Sequence, residues 1–207
     1  MMNLENILGF SFVALMMVLT PGPNMIYLIS RSICQGKKAG FISLIGVGLG
    51  FLFYMLLAAL GITAILFNTP HVYDLIRILG AIYLLWLAWG AVKPRSNSPF
   101  EVKNLPHDSN LKLFSMGFLT NLLNPKIAIM YLSLLPQFID TTGSIFYQSI
   151  MLGSLQILIS IMINALIVFF AGTISIFLAK NQFFSKIQRY LMGTVLFLLA
   201  LKIILNI

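Results

Sequence analysis

Apolar runs of about 18 or more residues recur along this chain, each close to the ~20 residues with which an α-helix crosses ~30 Å of hydrocarbon. Lipid offers backbone N–H and C=O groups no water, so a spanning segment must be a helix or part of a closed barrel. The alternating segments of ~10 residues that mark a barrel are absent. The expected fold is therefore all-α and integral to a membrane. Composition agrees: 59% of the 207 residues are hydrophobic and 9% are charged, against about 25% charged in soluble domains.

The hydropathy pattern predicts six transmembrane helices, at about Leu4 to Cys34, Phe41 to Phe67, Val72 to Val92, Leu113 to Phe138, Ile145 to Leu178 and Lys186 to Asn206. The N-terminus has Glu5 and no Lys or Arg before its apolar run, so it reads as the first span and not as a signal peptide. The longest connection, Lys93 to Lys112, is rich in Pro, Ser, Asn and charge, which suits a solvated loop. The first, third and fifth connections hold Arg31, Lys37, Lys38, Lys93, Arg95, Lys103, Lys112, Lys180, Lys186 and Arg189; the opposite face has Arg77 and Lys202 near span ends. Cytoplasmic loops accumulate Lys and Arg, so this asymmetry predicts a cytoplasmic long loop and both termini outside.

The net charge of +8 serves orientation, because no dense basic patch with interleaved aromatics suggests nucleic acid. Trp86 and Trp89, just before Lys93, read as interface anchors in preference to ligand-stacking rings. Cys34 is the single cysteine, which excludes an intrachain disulfide and a cysteine metal cluster.

Shifting the second half over the first by 104 positions sets Leu19-Thr20-Pro21 on Leu123-Asn124-Pro125 and Tyr27-Leu28 on Tyr131-Leu132. Gly48 then falls near Gly153, and "RILGAIYLL" from Arg77 roughly parallels "RYLMGTVLF" from Arg189. These matches suggest two inverted three-helix repeats, about 1–92 and 113–207, joined by the 93–112 loop within one transport domain of residues 1–207. Each first helix carries a proline break, roughly 15 to 25 Å from either end of its span and so near the midplane.

A proline inside a helix lacks the amide donor and frees the carbonyl four residues back, while glycine permits backbone angles closed to other residues. Thr20-Pro21-Gly22-Pro23-Asn24 therefore leaves carbonyls at the end of one half-helix and amides at the start of the next, a site for both signs of charge. Asn121, Asn124, Pro125 and Lys126 form the second break. A midplane lysine costs about 2.5–3.5 kcal/mol on insertion scales, so Lys126 needs partners. It is either a carboxylate-binding cation or a clamp on freed carbonyls. Glu5, Asp74 and Asp140 fall at outer span ends, and Glu101 and Asp108 fall in the loop, so no acid is expected deep in the membrane. That balance favours a zwitterion, its carboxylate on Lys126 or half-helix amides and its ammonium on freed carbonyls, with Asn24, Asn121 and Asn124 as polar orienters. Tyr27, Tyr131 and Asn164 complete the candidate substrate-binding set as secondary members, with Gln156 and Tyr54 as further polar groups, and a helix–helix hydrogen bond suits each of the five at least as well. Gly46, Gly48 and Gly50 allow close helix approach, within one chain or in a homo-oligomer.

The sequence resembles the LysE/RhtB family of bacterial amino-acid exporters. "LTPGPNMIYLISRSICQGKKAGF" with "GVGLG", the third-helix stretch "IRILGAIYLLWLAWG" and the fourth-helix stretches "GFLTNLLNPK" and "LLPQF" carry the likeness, with Ala88 where a glycine is usual. Spans five and six resemble the family only in length and hydropathy. The resemblance implies a secondary active exporter in the bacterial inner membrane that moves amino acids out of the cytoplasm by alternating access. Its partners would be the amino-acid substrate, a coupling ion, most simply a proton, and the bilayer, with no cofactor and no metal. The residue reading favours neutral substrates such as homoserine, threonine or leucine. A metal-ion or other small-solute transporter or channel of similar architecture is the alternative, although rings of acids and His or Cys ligand sets are not seen. An intramembrane enzyme is not expected: His71 and His107 lie in loops, and no HExxH or membrane Asp pair is present.

Overall fold

The computed structural model describes residues 3–62, 69–93, 106–180 and 182–205. The described regular structure is all helical: α1 (Leu4–Leu19), α2 (Pro23–Gln35), α3 (Lys37–Leu57), α4 (Pro70–Val92), α5 (Asn110–Leu122), α6 (Pro125–Ile129), α7 (Ile145–Lys180) and α8 (Gln182–Leu205). A π-turn at Ala58–Ile62 extends α3, while a π-turn at Met130–Leu134 and a 3₁₀ turn at Leu135–Phe138 extend α6. Most of the Lys93 to Lys112 connection, the second span's end at Phe67 and Asn206 lie outside the described residues.

The two expected breaks are present. Leu4–Leu19 meets Pro23–Gln35 at 50°, and Asn110–Leu122 meets Pro125–Phe138 at 48°. Both second halves begin with proline at the first helical turn, where the missing N–H costs no helix bond. By length and apolarity, two described helices suffice to cross a membrane, Lys37–Gly61 and Ile145–Thr173; each bent pair counted as one span makes four. The chain is thus an all-α, multi-pass membrane protein. Gly36, at φ 85°, joins α2 to α3 in a left-handed conformation that favours glycine.

Helix α3 packs along α5, α7 lies against α1, α2 and α3, and α4 pairs with α8. Lipid is as apolar as leucine, so close packing and hydrogen bonds must hold these faces together. Small residues provide the proximity within this chain: a Cβ on Gly46 would strike the Phe114 carbonyl, and one on Gly117 the Ser43 carbonyl. The apolar core runs through Phe10, Leu28, Val47, Phe51, Tyr131, Leu134, Leu152 and Val168. Trp86 and Trp89 point outward, 65% and 71% exposed, as interface anchors would.

Candidate functional site

The two breaks meet. Pro21 frees the carbonyl of Met17, four residues back, and the break also leaves that of Thr20 outside any helix ladder. The Lys126 ammonium, arriving from the other break, donates to both, at 2.9 Å to Met17 and 2.6 Å to Thr20. Lys126 is 5% exposed, and these charge-assisted bonds offset part of the cost of burying it. Of the two roles open to this lysine, the geometry contains the clamp; an ammonium has three donors, and one remains.

Gly22 lies directly beneath Lys126. A Cβ there would come within 3.0 Å of Nζ and 3.2 Å of Cε. At φ −158° the residue is ordinary extended backbone, so close approach of the lysine, and not an unusual backbone angle, explains the glycine. As the N-cap of α2 it makes no side-chain cap bond. Thr20 donates its hydroxyl to the Met16 carbonyl at 2.8 Å.

The backbone of the second break is met locally and by α3. Asn124 accepts the Lys126 amide at 3.1 Å, the Tyr54 hydroxyl donates to the Leu122 carbonyl at 2.8 Å, and the Asn121 carbonyl accepts the Asn124 amide at 3.0 Å. The Asn121 side chain is fully buried beneath Gly50, where a Cβ would lie 2.7 Å from it, and both its amide atoms lack a partner among the described residues.

Beside the breaks is a cavity lined by Met17, Asn24, Lys126, Gln156, Ser160 and Asn164, with Phe51, Met25, Ile127 and Met130 among its apolar walls. Its polar wall is α7, where Gln156, Ser160 and Asn164 recur every four residues on one buried face. Gln156 donates to the Ser160 hydroxyl at 2.8 Å and accepts from the Tyr131 hydroxyl at 2.6 Å; Asn164 donates to the Ser160 carbonyl at 2.8 Å. Tyr131 stacks on Tyr54 and lies in the π-turn that follows the second break. Asn24 Oδ1 is buried with no partner among the described residues. Among the described residues no Asp or Glu lines this space. It has room for about one or two water molecules, so an amino acid fits only if the surrounding helices part.

Of the residues expected at the site, Asn24, Lys126 and Asn164 line the cavity, Thr20 and Gly22 hold Lys126 from below, Asn124 caps its helix and Tyr131 supports Gln156. Pro21, Pro23 and Pro125 shape the bends. Tyr27 instead donates to the Leu113 carbonyl at 2.9 Å, near the start of α5. Asn121 packs against α3. Sequence reasoning missed Ser160, whose signal was its place between Gln156 and Asn164 at helical spacing, and the Met17 carbonyl, which the proline rule identifies.

Among the described residues no three His, Cys, Asp or Glu side chains gather as metal ligands.

The family model described as "LysE type translocator" matches residues 15–207. An uncharacterized membrane protein, YrhP, of Bacillus subtilis (strain 168) is 27% identical over 201 residues, 93% of this chain and 95% of the relative. A leucine efflux protein of Enterobacter sp. (strain 638) is 32% identical over 188 residues, 87% of this chain and 86% of the relative. A leucine efflux protein of Klebsiella pneumoniae is 33% identical over 141 residues, 67% of this chain and 65% of the relative. No solved structure matches the chain significantly.

Proposed function

The chain belongs to the LysE type translocator family, and from that premise we propose that it exports neutral amino acids from the bacterial cytoplasm as a secondary active carrier. The observation that carries this reading is the cavity at the two breaks, whose described lining has one ammonium, neutral polar groups and no carboxylate. A cationic substrate would lack a counter-charge there, whereas a zwitterion is matched at both ends. Its carboxylate takes the remaining donor of Lys126 and the uncapped amino end of α2. Its ammonium takes Asn24 Oδ1 and the oxygens of Ser160 and Asn164, since Lys126 already holds the freed carbonyls. Met17, Met25, Phe51 and Met130 then face an aliphatic side chain. The leucine efflux relatives favour the same class.

Residues 1–207 form one transport domain of six spans in two inverted repeats in this proposal, with α4 and α8 as the third and sixth. The pairing of α3 with α5 and of α7 with α1 and α2 supports it, because a two-fold axis in the membrane plane exchanges these contacts. Alternating access follows as rocking about the bends. The chain sits in the inner membrane with both termini outside, and the proton gradient drives it.

Efflux of a panel of labelled amino acids from loaded proteoliposomes tests this, with and without an imposed pH gradient. Saturable efflux of a few neutral amino acids is expected, with counterflow, stimulation by the gradient and loss in Lys126→Ala. Transport of lysine or arginine alone would overturn the substrate class, and non-saturable flux without counterflow would indicate a pore.

A further inference from the structure

At the opposite end of α2 from the break, a second charged constellation joins the two broken helices. Arg31 Nη2 contacts Asp108 Oδ2 at 2.7 Å, with side chains only 10% and 5% exposed. Lys112, 60% exposed, contacts Asp108 Oδ1 at 2.6 Å. Gln35 grips the Asp108 backbone from both sides, donating to its carbonyl at 2.9 Å and accepting its amide at 3.0 Å. Arg31 Nη1 donates to Gln35 Oε1 and to the Pro106 carbonyl, both at 3.3 Å, and the guanidinium lies 5.8 Å from the Tyr27 ring centroid.

We propose that Arg31 and Asp108 form an intake site for zwitterions at the cytoplasmic mouth, which the substrate opens by exchanging its own two charges for those of the pair. The inference rests on the exporter reading and adds a binding site remote from the cavity. Parting α2 from α5 separates Arg31 from Asp108, together with the Gln35 and Pro106 bonds across the same seam; without a replacement Arg31 loses its carboxylate and Asp108 is left with the exposed Lys112. An amino acid supplies both replacements from groups one carbon apart, a carboxylate for Arg31 and an ammonium for Asp108.

The geometry favours that exchange. Nε and Nη2 share one edge of a guanidinium, the edge that takes a carboxylate through two parallel bonds. Asp108 occupies Nη2, whereas Arg31 Nε is buried with no partner among the described residues. An incoming carboxylate thus makes two bonds where Asp108 makes one. Arg31 stays in place meanwhile through Gln35 on its own helix, and Asp108 keeps Lys112 on its own side, so both halves of the site persist while the mouth opens.

The test uses the full chain in proteoliposomes, with spin labels on the native Cys34, at the Arg31 end of α2, and on Leu111→Cys, at the exposed start of α5. L-leucine is expected to lengthen the label distance, whereas 3-methylbutylamine and 4-methylpentanoate, which carry one charge each, leave it unchanged. Asp108→Asn should give the longer distance without ligand. Arg31→Lys, which keeps the charge and loses the fork, should raise KM about tenfold from the cytoplasmic side. If leucine is transported but the distance does not respond, or either single-charge compound opens the mouth equally, the intake site is wrong and the exporter reading stands. If no amino acid is transported at all, the exporter reading fails and the intake site fails with it.

Discussion

The backbone of the first break is met by the second, whereas the backbone of the second is met without the first, although its Lys126 ammonium takes both acceptors from it. At Thr20–Asn24 the freed carbonyls of Met17 and Thr20 find their donor in Lys126, more than 100 residues away in the chain. At Asn121–Lys126 the loose groups are met by Asn124, by the neighbouring backbone and by Tyr54. Two similar prolines thus produce one interruption whose backbone is met by its own residues and α3, and one whose carbonyls are met by a borrowed ammonium. Under the proposed alternating access the borrowed partner is the one that motion would withdraw, and the first break would be the changeable half of the site.

Removing the loan should have the largest effect. Lys126→Ala removes the ammonium donor from the Met17 and Thr20 carbonyls, at about 1–3 kcal/mol each, offset by release of the buried charge. We expect a net loss of about 1–3 kcal/mol in thermal unfolding and transport at background. Hydrogen exchange should rise in Thr20–Asn24 and stay unchanged in Asn121–Asn124; equal rises in both would abolish the asymmetry. Gly22→Ala should follow, because its new methyl meets Nζ at 3.0 Å while Lys126 remains. Overpacking of this kind costs about 1–3 kcal/mol. Transport should fall several-fold while the second break keeps its protection.

The bends were legible because proline and glycine act through local backbone geometry, and two of them sat at one spacing in both halves of the chain. The partner of Lys126 was only half legible. Its burial demanded acceptors, and the proline rule named Met17, but which of two roles the ammonium takes depends on a contact between α1 and α6 that no local pattern encodes. Tyr27 and Asn121 show the limit. Both are polar residues near a break, yet helix rotation turns Tyr27 toward Leu113 and Asn121 under Gly50. Arg31 and Asp108 read as topological and loop charges because their pairing needs the ends of α2 and α5 side by side.

Tyr54→Phe probes the second break. It removes the donor to the Leu122 carbonyl and should cost about 1–2 kcal/mol, with exchange rising in 121–124 and not in 20–24. Transport should keep its KM, since Tyr54 does not line the cavity. A loss confined to KM would mean that the second break also contacts substrate.

The smallest effect expected comes from acid, and it separates the breaks from the charged helix ends beyond them. The Lys112 hydrogen bond, aided by Arg31, holds the Asp108 carboxyl below its ordinary 3.8. A depressed carboxylate pKa contributes stability that is fully present above the unfolded value and lost as pH falls through the folded one. The stability difference between wild type and Asp108→Asn should therefore be constant from pH 8 to about 5 and shrink below about 4. Asp140, depressed in the same direction by the Thr142 hydroxyl and amide, is present in both chains and cancels in this difference. Hydrogen exchange in Asn121–Asn124 should not follow that titration, because Asn124, Tyr54 and the backbone close the break without a titrating carboxylate. If that segment lost protection in step with Asp108, the helix ends and the second break would be one cooperative unit, and the independence of its backbone would be refuted.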